Sequence, residues 1–310
     1  MITAAVLGAA GFSGQETLDR VLAHPDLELV ALGSDSLAGE PAGALDPRLA
    51  RNGHGSLPHF VPNAEALAAG AELVFCCLDN EAAAALEPPP GAVVVDLSGA
   101  HRIGADGWCY ALPELAPPTG KLIANPGCYA TAALLALGPI APIVDPDAGI
   151  VVDGKSGISG AGRTPKERSH AAAVLDNVTA YAVGTHRHAP EIAQLLGFPV
   201  TFVPHVVPLR RGLVCTCYVS ASEDPRPLLE WAYAESHVVD LIDEPPDLAR
   251  LQGTDAAEVA AFEDASTGRW IVICAIDNLG KGAAGQAVQN ANLALGLEET
   301  AGLRLSGVLV

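Results

Sequence analysis

The chain opens with a short apolar strand that ends in glycine and passes at once into glycine-spaced residues and then a helix. Few folds accommodate that order. ITAAVLG is a run of β formers ending at Gly8, GAAGFSG spaces Gly8, Gly11 and Gly14 three apart, and QETLDRVLAHP has helical periodicity up to the stop at Pro25. LELVALGS reads as a second strand. AELVFCCL and AVVVDLS are continuous apolar runs of the kind buried on both faces of a parallel sheet, and the helical stretch NEAAAALE between them ends at Pro88, Pro89 and Pro90. Strand, helix, strand, repeated to about residue 125, predicts an α/β doubly wound sheet.

After residue 150 the pattern changes. GIVVDGKSG, FPVTFVPHVVPL, RGLVCTCYVSA and WIVICAIDN are β-rich runs divided by proline and glycine. They predict an α+β domain with a mainly antiparallel sheet. AAGQAVQNANLALGL is periodic as a helix. The expected division is a dinucleotide-binding domain over 1–128, completed by a C-terminal helix at about 281–310, and a second domain over 129–280.

Half of the residues are hydrophobic, enough for a sizeable core, and 17 basic against 36 acidic residues leave a formal charge of −19. Such a field repels nucleic acid and anionic membrane surfaces, so neither is an expected partner. An anionic ligand must then be met by a local cationic site. The seven cysteines show neither CxxC pairing nor zinc-ligand spacing. With no secretory leader pattern and no apolar run near the roughly 20 residues needed to span a bilayer, the expected compartment is a reducing cytoplasm.

The glycine loop is the expected cofactor cradle, built from Gly8, Gly11, Phe12, Ser13 and Gly14. Missing side chains let the backbone approach a pyrophosphate whose charge sits at the helix N-terminus. Asp35, after the second strand, stands where an acid would hold the ribose 2′-hydroxyl of NAD, while Ser34 and Ser36 suit the 2′-phosphate of NADP. The cofactor choice stays open, and a solvated loop aspartate is the third alternative.

In LIANPGCYATAALLALGPI, the turn Asn125-Pro126-Gly127 delivers Cys128 to the first position of an Ala/Leu-rich helix. The positive end of a helix dipole and unpaired N–H groups favour a thiolate, and the same N–H groups can hold an oxyanion. Cys128 is therefore the candidate nucleophile. THRHAPEI groups His186, Arg187, His188 and Glu191. One histidine can manage protons for the thiol while the other residues orient substrate; a structural pair or a metal-binding His-x-His are the alternatives. His205 is a weaker candidate. Arg102, just beyond VVVDLS, stands where strand ends line a ligand crevice, and its guanidinium suits a phosphate. Lys155, Ser156, Gly157, Ser159, Gly160, Gly162 and Arg163 form a Gly/Ser loop whose N–H groups and cations suit a nicotinamide, a phosphate or a carboxylate.

Taken together, GAAGFSG, LIANPGCYATAALLAL, DGKSGISGAGR, YAVGTHRHAPEI, FVPHVVPLRRG and DNLGKGAAGQAVQNANLALGLEET resemble the N-acetyl-gamma-glutamyl-phosphate reductase family of arginine biosynthesis. The resemblance implies a Rossmann-type domain with an inserted catalytic and dimerisation domain, as in semialdehyde dehydrogenases, and a homodimer or homotetramer. It also implies NADPH-dependent reduction of a small-molecule acyl phosphate, N-acetylglutamyl 5-phosphate, to the semialdehyde. Cys128 matches the nucleophile, and His186 is the expected proton-transfer residue. Arg102, Arg187, His188 and Glu191 are expected at the substrate, with Ser156, Gly157 and Asn278 beside the cradle at the cofactor, and no metal. The alternatives are a related reductase of carrier-linked aminoadipyl phosphate, another semialdehyde dehydrogenase, and a catalytically silent nucleotide-binding protein.

Overall fold

The computed structural model describes residues 1–47, 49, 57–165 and 167–307 and divides into two compact units, one of Met1–Pro126 with Ala283–Leu303 and one of Gly127–Gly282 with Arg304–Val310. Residues 308–310, the end of the expected C-terminal segment, lie outside the described residues.

Among the described residues of the first unit, seven strands form one parallel sheet: β1 (Ile2–Leu7), β2 (Leu27–Gly33), β3 (Phe60–Val61), β4 (Leu73–Cys76), β5 (Val93–Asp96), β6 (Cys109–Tyr110) and β7 (Leu122–Ala124). Their order is β3-β2-β1-β4-β5-β7-β6. Alternation along β1 explains why both faces need cover. Ala4 and Val6 pack into one core with Leu18 and Val21 of helix α1 (Phe12–Ala23) and with Val288 and Ala291 of the last helix, Gly285–Leu295. Ala5 and Leu7 point the other way, into a core with Val74, Val94 and Ala66. The strand order reverses between β1 and β4, paired up to Leu7 and Cys76, and the crevice beyond those carboxyl ends is where such sheets take ligands.

The second unit carries a mixed sheet: β8 (Val151–Gly157), β9 (Thr179–Ala180), β10 (Thr201–Val207), β11 (Leu213–Val219), β12 (Val239–Leu241), β13 (Ala257–Asp264) and β14 (Arg269–Ile276). Their order is β12-β13-β14-β11-β8-β10-β9. Antiparallel pairs predominate, but β8–β10 and β12–β13 run parallel. Helix α2 (Cys128–Leu137) packs on β11 and β14, and every residue from Tyr129 to Leu137 is buried. A decapeptide whose only strongly polar side-chain groups are the Tyr129 and Thr131 hydroxyls has no solvent face, so it becomes a core helix. Helix α3 (His188–Leu196) packs against α2 and ends at Gly197 in the left-handed region.

Two of the elements that differ from expectation have a plain physical reason. NEAAAALE is helical only over Asn80–Ala84, because its N-cap Asp79 gives it a start while the proline triplet leaves no room for further turns. β13 was not anticipated, since AEVAAFED is rich in residues of poor β propensity; its pairing with β14 along eight residues makes it a strand.

Candidate active site

The glycine loop follows β1 and starts α1. Gly8 has φ +68°, and a Cβ there would lie 2.5 Å from the Cys77 carbonyl oxygen; one on Gly14 would lie 2.4 Å from the Gly8 oxygen. Both positions therefore exclude any side chain. Gly11 differs, since a Cβ would meet only the Gly8 oxygen at 3.4 Å. It is the N-cap of α1, no side chain caps it, and the first helical bond runs from Gln15 N to Gly11 O. Phe12, Ser13 and Gly14 thus form the first turn at a side-chain-free N-terminus on the sheet's ligand edge, an anion-binding geometry that fits a dinucleotide pyrophosphate. Ser34 is buried and its Oγ lies 3.3 Å from that of the exposed Ser36. The Asp35 carboxylate accepts two hydrogen bonds from Asn63, which hold it below its ordinary pKa.

Cys128 lies in the second unit. Gly127, its N-cap, is extended and donates its N–H to Glu191 Oε1 at 2.7 Å, so a buried carboxylate from α3 fixes the entry to α2. Cys128 is partly exposed and lines a pocket of about 790 Å³ with Tyr181, His186, Arg187, Ser156 and Gly157. His188 also lines it, although its side chain is buried with Nε2 3.9 Å from Glu191 Oε2. Arg187 is exposed and supplies a cation to the lining.

His186 sits in an aromatic cluster, edge-on to Tyr129, Tyr181 and Phe202. Burial, helped by the Arg187 guanidinium, lowers its pKa to about 4. Its Nδ1 accepts the backbone N–H of His188 at 3.1 Å. Nδ1 must keep its lone pair to do so, which leaves the neutral ring protonated at Nε2. At neutral pH the imidazole is a neutral Nε2–H donor. Among the described residues no group of three or more His, Cys, Asp or Glu side chains is arranged to hold a metal.

Residues 3–122 match the semialdehyde dehydrogenase NAD-binding domain, and residues 128–278 match the semialdehyde dehydrogenase dimerisation domain. The N-acetyl-gamma-glutamyl-phosphate reductase of Acidothermus cellulolyticus is 41% identical, with 98% of each chain covered. That of Salinispora arenicola is 39% identical over 99% of each. The chain belongs to the N-acetyl-gamma-glutamyl-phosphate reductase family. Among solved structures, aspartate semialdehyde dehydrogenase II from Vibrio cholerae superposes with a TM-score of 0.78 at 19% identity, covering 95% of this chain and 98% of that one. Aspartate semialdehyde dehydrogenase with NADP from Candida albicans gives 0.72 at 18%, covering 95% and 99%. These two share the fold.

The remaining expected site residues of this reductase-family chain are distributed as follows. Arg102 is buried in the first unit, with Nε on Asn125 O and Nη2 on Leu97 O, both at 2.8 Å, so its fork braces the turn ahead of Cys128. Asn278 Oδ1 accepts from Gly212 N at 2.8 Å, and its Nδ2 donates to Ser159 Oγ at 2.9 Å, which pins the Gly/Ser loop. His205 is held by Asp153, Nδ1 to Oδ1 at 3.2 Å, and Lys155 pairs with the same carboxylate. Sequence reasoning missed Tyr181, Asn177 and Thr179 in the pocket lining. Asp176 at φ 57° and Ala182 at φ 44° bracket that segment in the left-handed region. Ala182 carries no sequence signal of that backbone state and Asp176 only a weak one, so the conformation of this segment was not legible.

Proposed function

We propose that the chain reduces N-acetylglutamyl 5-phosphate to N-acetylglutamate 5-semialdehyde with release of phosphate, using NADPH, in arginine biosynthesis. The observation that carries the reading is Cys128 at the start of a core helix, opening into a pocket it shares with a neutral histidine and an arginine, in a chain 41% identical to a named reductase over its length. The glycine cradle, the side-chain-free helix end and the Ser34 and Ser36 hydroxyls fit a phosphorylated dinucleotide and would hold its pyrophosphate and 2′-phosphate. Bound there, reduced nicotinamide supplies a hydride to a carbon at the acyl level.

The chain's own residues do the rest. Cys128 Sγ attacks the acyl carbon, the carbon–oxygen bond to phosphate breaks, and a thioester remains on the sulfur. N–H groups at the start of α2 and His186 Nε2–H stabilise negative charge on the substrate oxygen. Collapse of the hemithioacetal breaks the S–C bond and returns Cys128 as thiolate. Arg187 pairs with a substrate anion, and His188 and Glu191 hold the thiol turn and the His186 ring in place. Arg102 enters as a brace of that turn. The chain works in the cytoplasm, consistent with seven free cysteines, and as a homodimer or homotetramer, consistent with the matched dimerisation domain.

The test runs the reaction backwards. Purified protein with N-acetylglutamate semialdehyde should reduce NADP⁺ only when phosphate is present, and C128S should lose at least ~10³-fold in kcat. Turnover without phosphate, or a Ser variant of near-normal rate, would overturn the thioester route.

A further inference from the structure

Asp35 occupies the position at which a dinucleotide fold commonly selects its ribose, yet its exposed carboxylate is engaged by the chain's own Asn63. Oδ1 accepts the backbone N–H of Asn63 at 2.9 Å, and Oδ2 accepts Asn63 Nδ2–H at 2.8 Å. The Asn63 amide is thereby fixed in orientation, with Oδ1 turned the other way, where it accepts the N–H of Gly8 at 2.9 Å. Gly8 is the left-handed first glycine of the cradle, and its carbonyl in turn accepts Gly11 N–H at 3.0 Å. Gly33 closes the arrangement. A Cβ at Gly33 would come within 2.6 Å of Asn63 Oδ1, so the absent side chain leaves the amide its seat at the end of β2.

We propose that Asp35 acts on the cofactor through Asn63. The carboxylate orients the Asn63 amide, the amide pins Gly8, and the pair shapes the pyrophosphate cradle for NADPH and NADH alike instead of choosing between them. Asn63 and Asp35 are then positioning residues, and the choice between the two cofactors falls to Ser34 and Ser36. The proposal rests on the dinucleotide reading given above for the same loop. Its physical basis is that loss of Asn63 Oδ1 removes a fixed acceptor from the Gly8 N–H, a group whose conformation the cradle depends on.

The experiment measures binding of NADPH and of NADH to the full chain by nucleotide fluorescence, for wild type, N63A, D35A, the double variant and the exchange D35N/N63D. N63A should weaken both nucleotides by a common factor of about 3 to 10, the loss of about one hydrogen bond. Adding D35A to N63A should change either affinity by less than about twofold, because the carboxylate has no other route to the cradle. The exchange reverses the side-chain pair, with the donor now at 35 and an acceptor at 63, keeps an acceptor for the Gly8 N–H, and should recover wild-type affinity to within about threefold. The iodoacetamide rate of Cys128, in the other unit, should stay unchanged throughout. D35A shifting the NADPH:NADH ratio more than about fivefold with either residue at 63 would overturn the proposal. So would N63A leaving both affinities intact. A wild-type chain that binds neither nucleotide would instead sink the cofactor reading, and this proposal with it.

Discussion

In the proposed reaction a thiol and an imidazole carry the chemistry, and their surroundings set both. Burial raises the pKa of Cys76, Cys215 and Cys217 and pushes Cys77 up to about 12, which leaves the partly exposed Cys128 as the reactive candidate in the pocket. Iodoacetamide near neutral pH should therefore modify Cys128 first, as read by peptide mass mapping, and faster labelling of Cys77 or Cys109 would contradict the assignment. His186 has a lowered pKa in the folded chain, about 4 against an ordinary 6.5. As pH falls through that interval the unfolded chain takes up the proton first. The contribution of the neutral ring to stability is thus full above 6.5 and is lost progressively towards 4. A histidine titration by NMR should find the His186 midpoint well under 6; a midpoint at or above 6.5 would remove the neutral-donor role.

The two turns that feed helices α1 and α2 are built on opposite principles. α1 begins with no side chain capping it, whereas α2 begins where the Glu191 carboxylate has been brought in to accept the Gly127 N–H. Gly8→Ala and Gly14→Ala would place a methyl against backbone and should each cost more than ~2 kcal/mol in denaturant unfolding. Gly11→Ala, with only a 3.4 Å contact, should stay within ~0.5 kcal/mol. Equal losses at all three positions would show that backbone freedom, and not close approach, governs the loop. For α2, E191A leaves a buried N–H unsatisfied and should cost ~1–3 kcal/mol, while E191Q, which keeps an acceptor, should cost less. Equal losses for the two variants, read from urea midpoints, would show instead that the carboxylate's charge is the main contribution.

The whole chain combines a parallel unit that presents the candidate cradle and a mixed-sheet unit that presents the candidate nucleophile. With NADPH at ~100-fold above Kd, the fold should gain ~2.7 kcal/mol. Hydrogen exchange should slow at Gly8–Gly14 and Gly33–Ser36; protection confined to the second unit would place the nucleotide elsewhere. Strand runs such as LVFC and VVVD, and the apolar core helix that follows Gly127, were legible because each is a local pattern of burial. The same holds for the cradle glycines, whose spacing is a local backbone requirement, and for Cys128 and the histidine pair, which sit in adjacent-residue motifs.

The contacts that tie distant residues together lay beyond such reading. Chain order along residues 1–126 was enough to announce a doubly wound sheet, because apolar periodicity and turn chemistry are properties of neighbouring residues. Tertiary packing alone made Arg102 a brace on Asn125 O, set Glu191 on Gly127 and turned Asp35 to Asn63. It also paired β13 with β14 and lowered the His186 pKa. The three side-chain contacts join groups 23, 64 and 28 residues apart, and the strand pairing and the His186 shift depend on what packs around them and how much water is excluded, which no local pattern encodes.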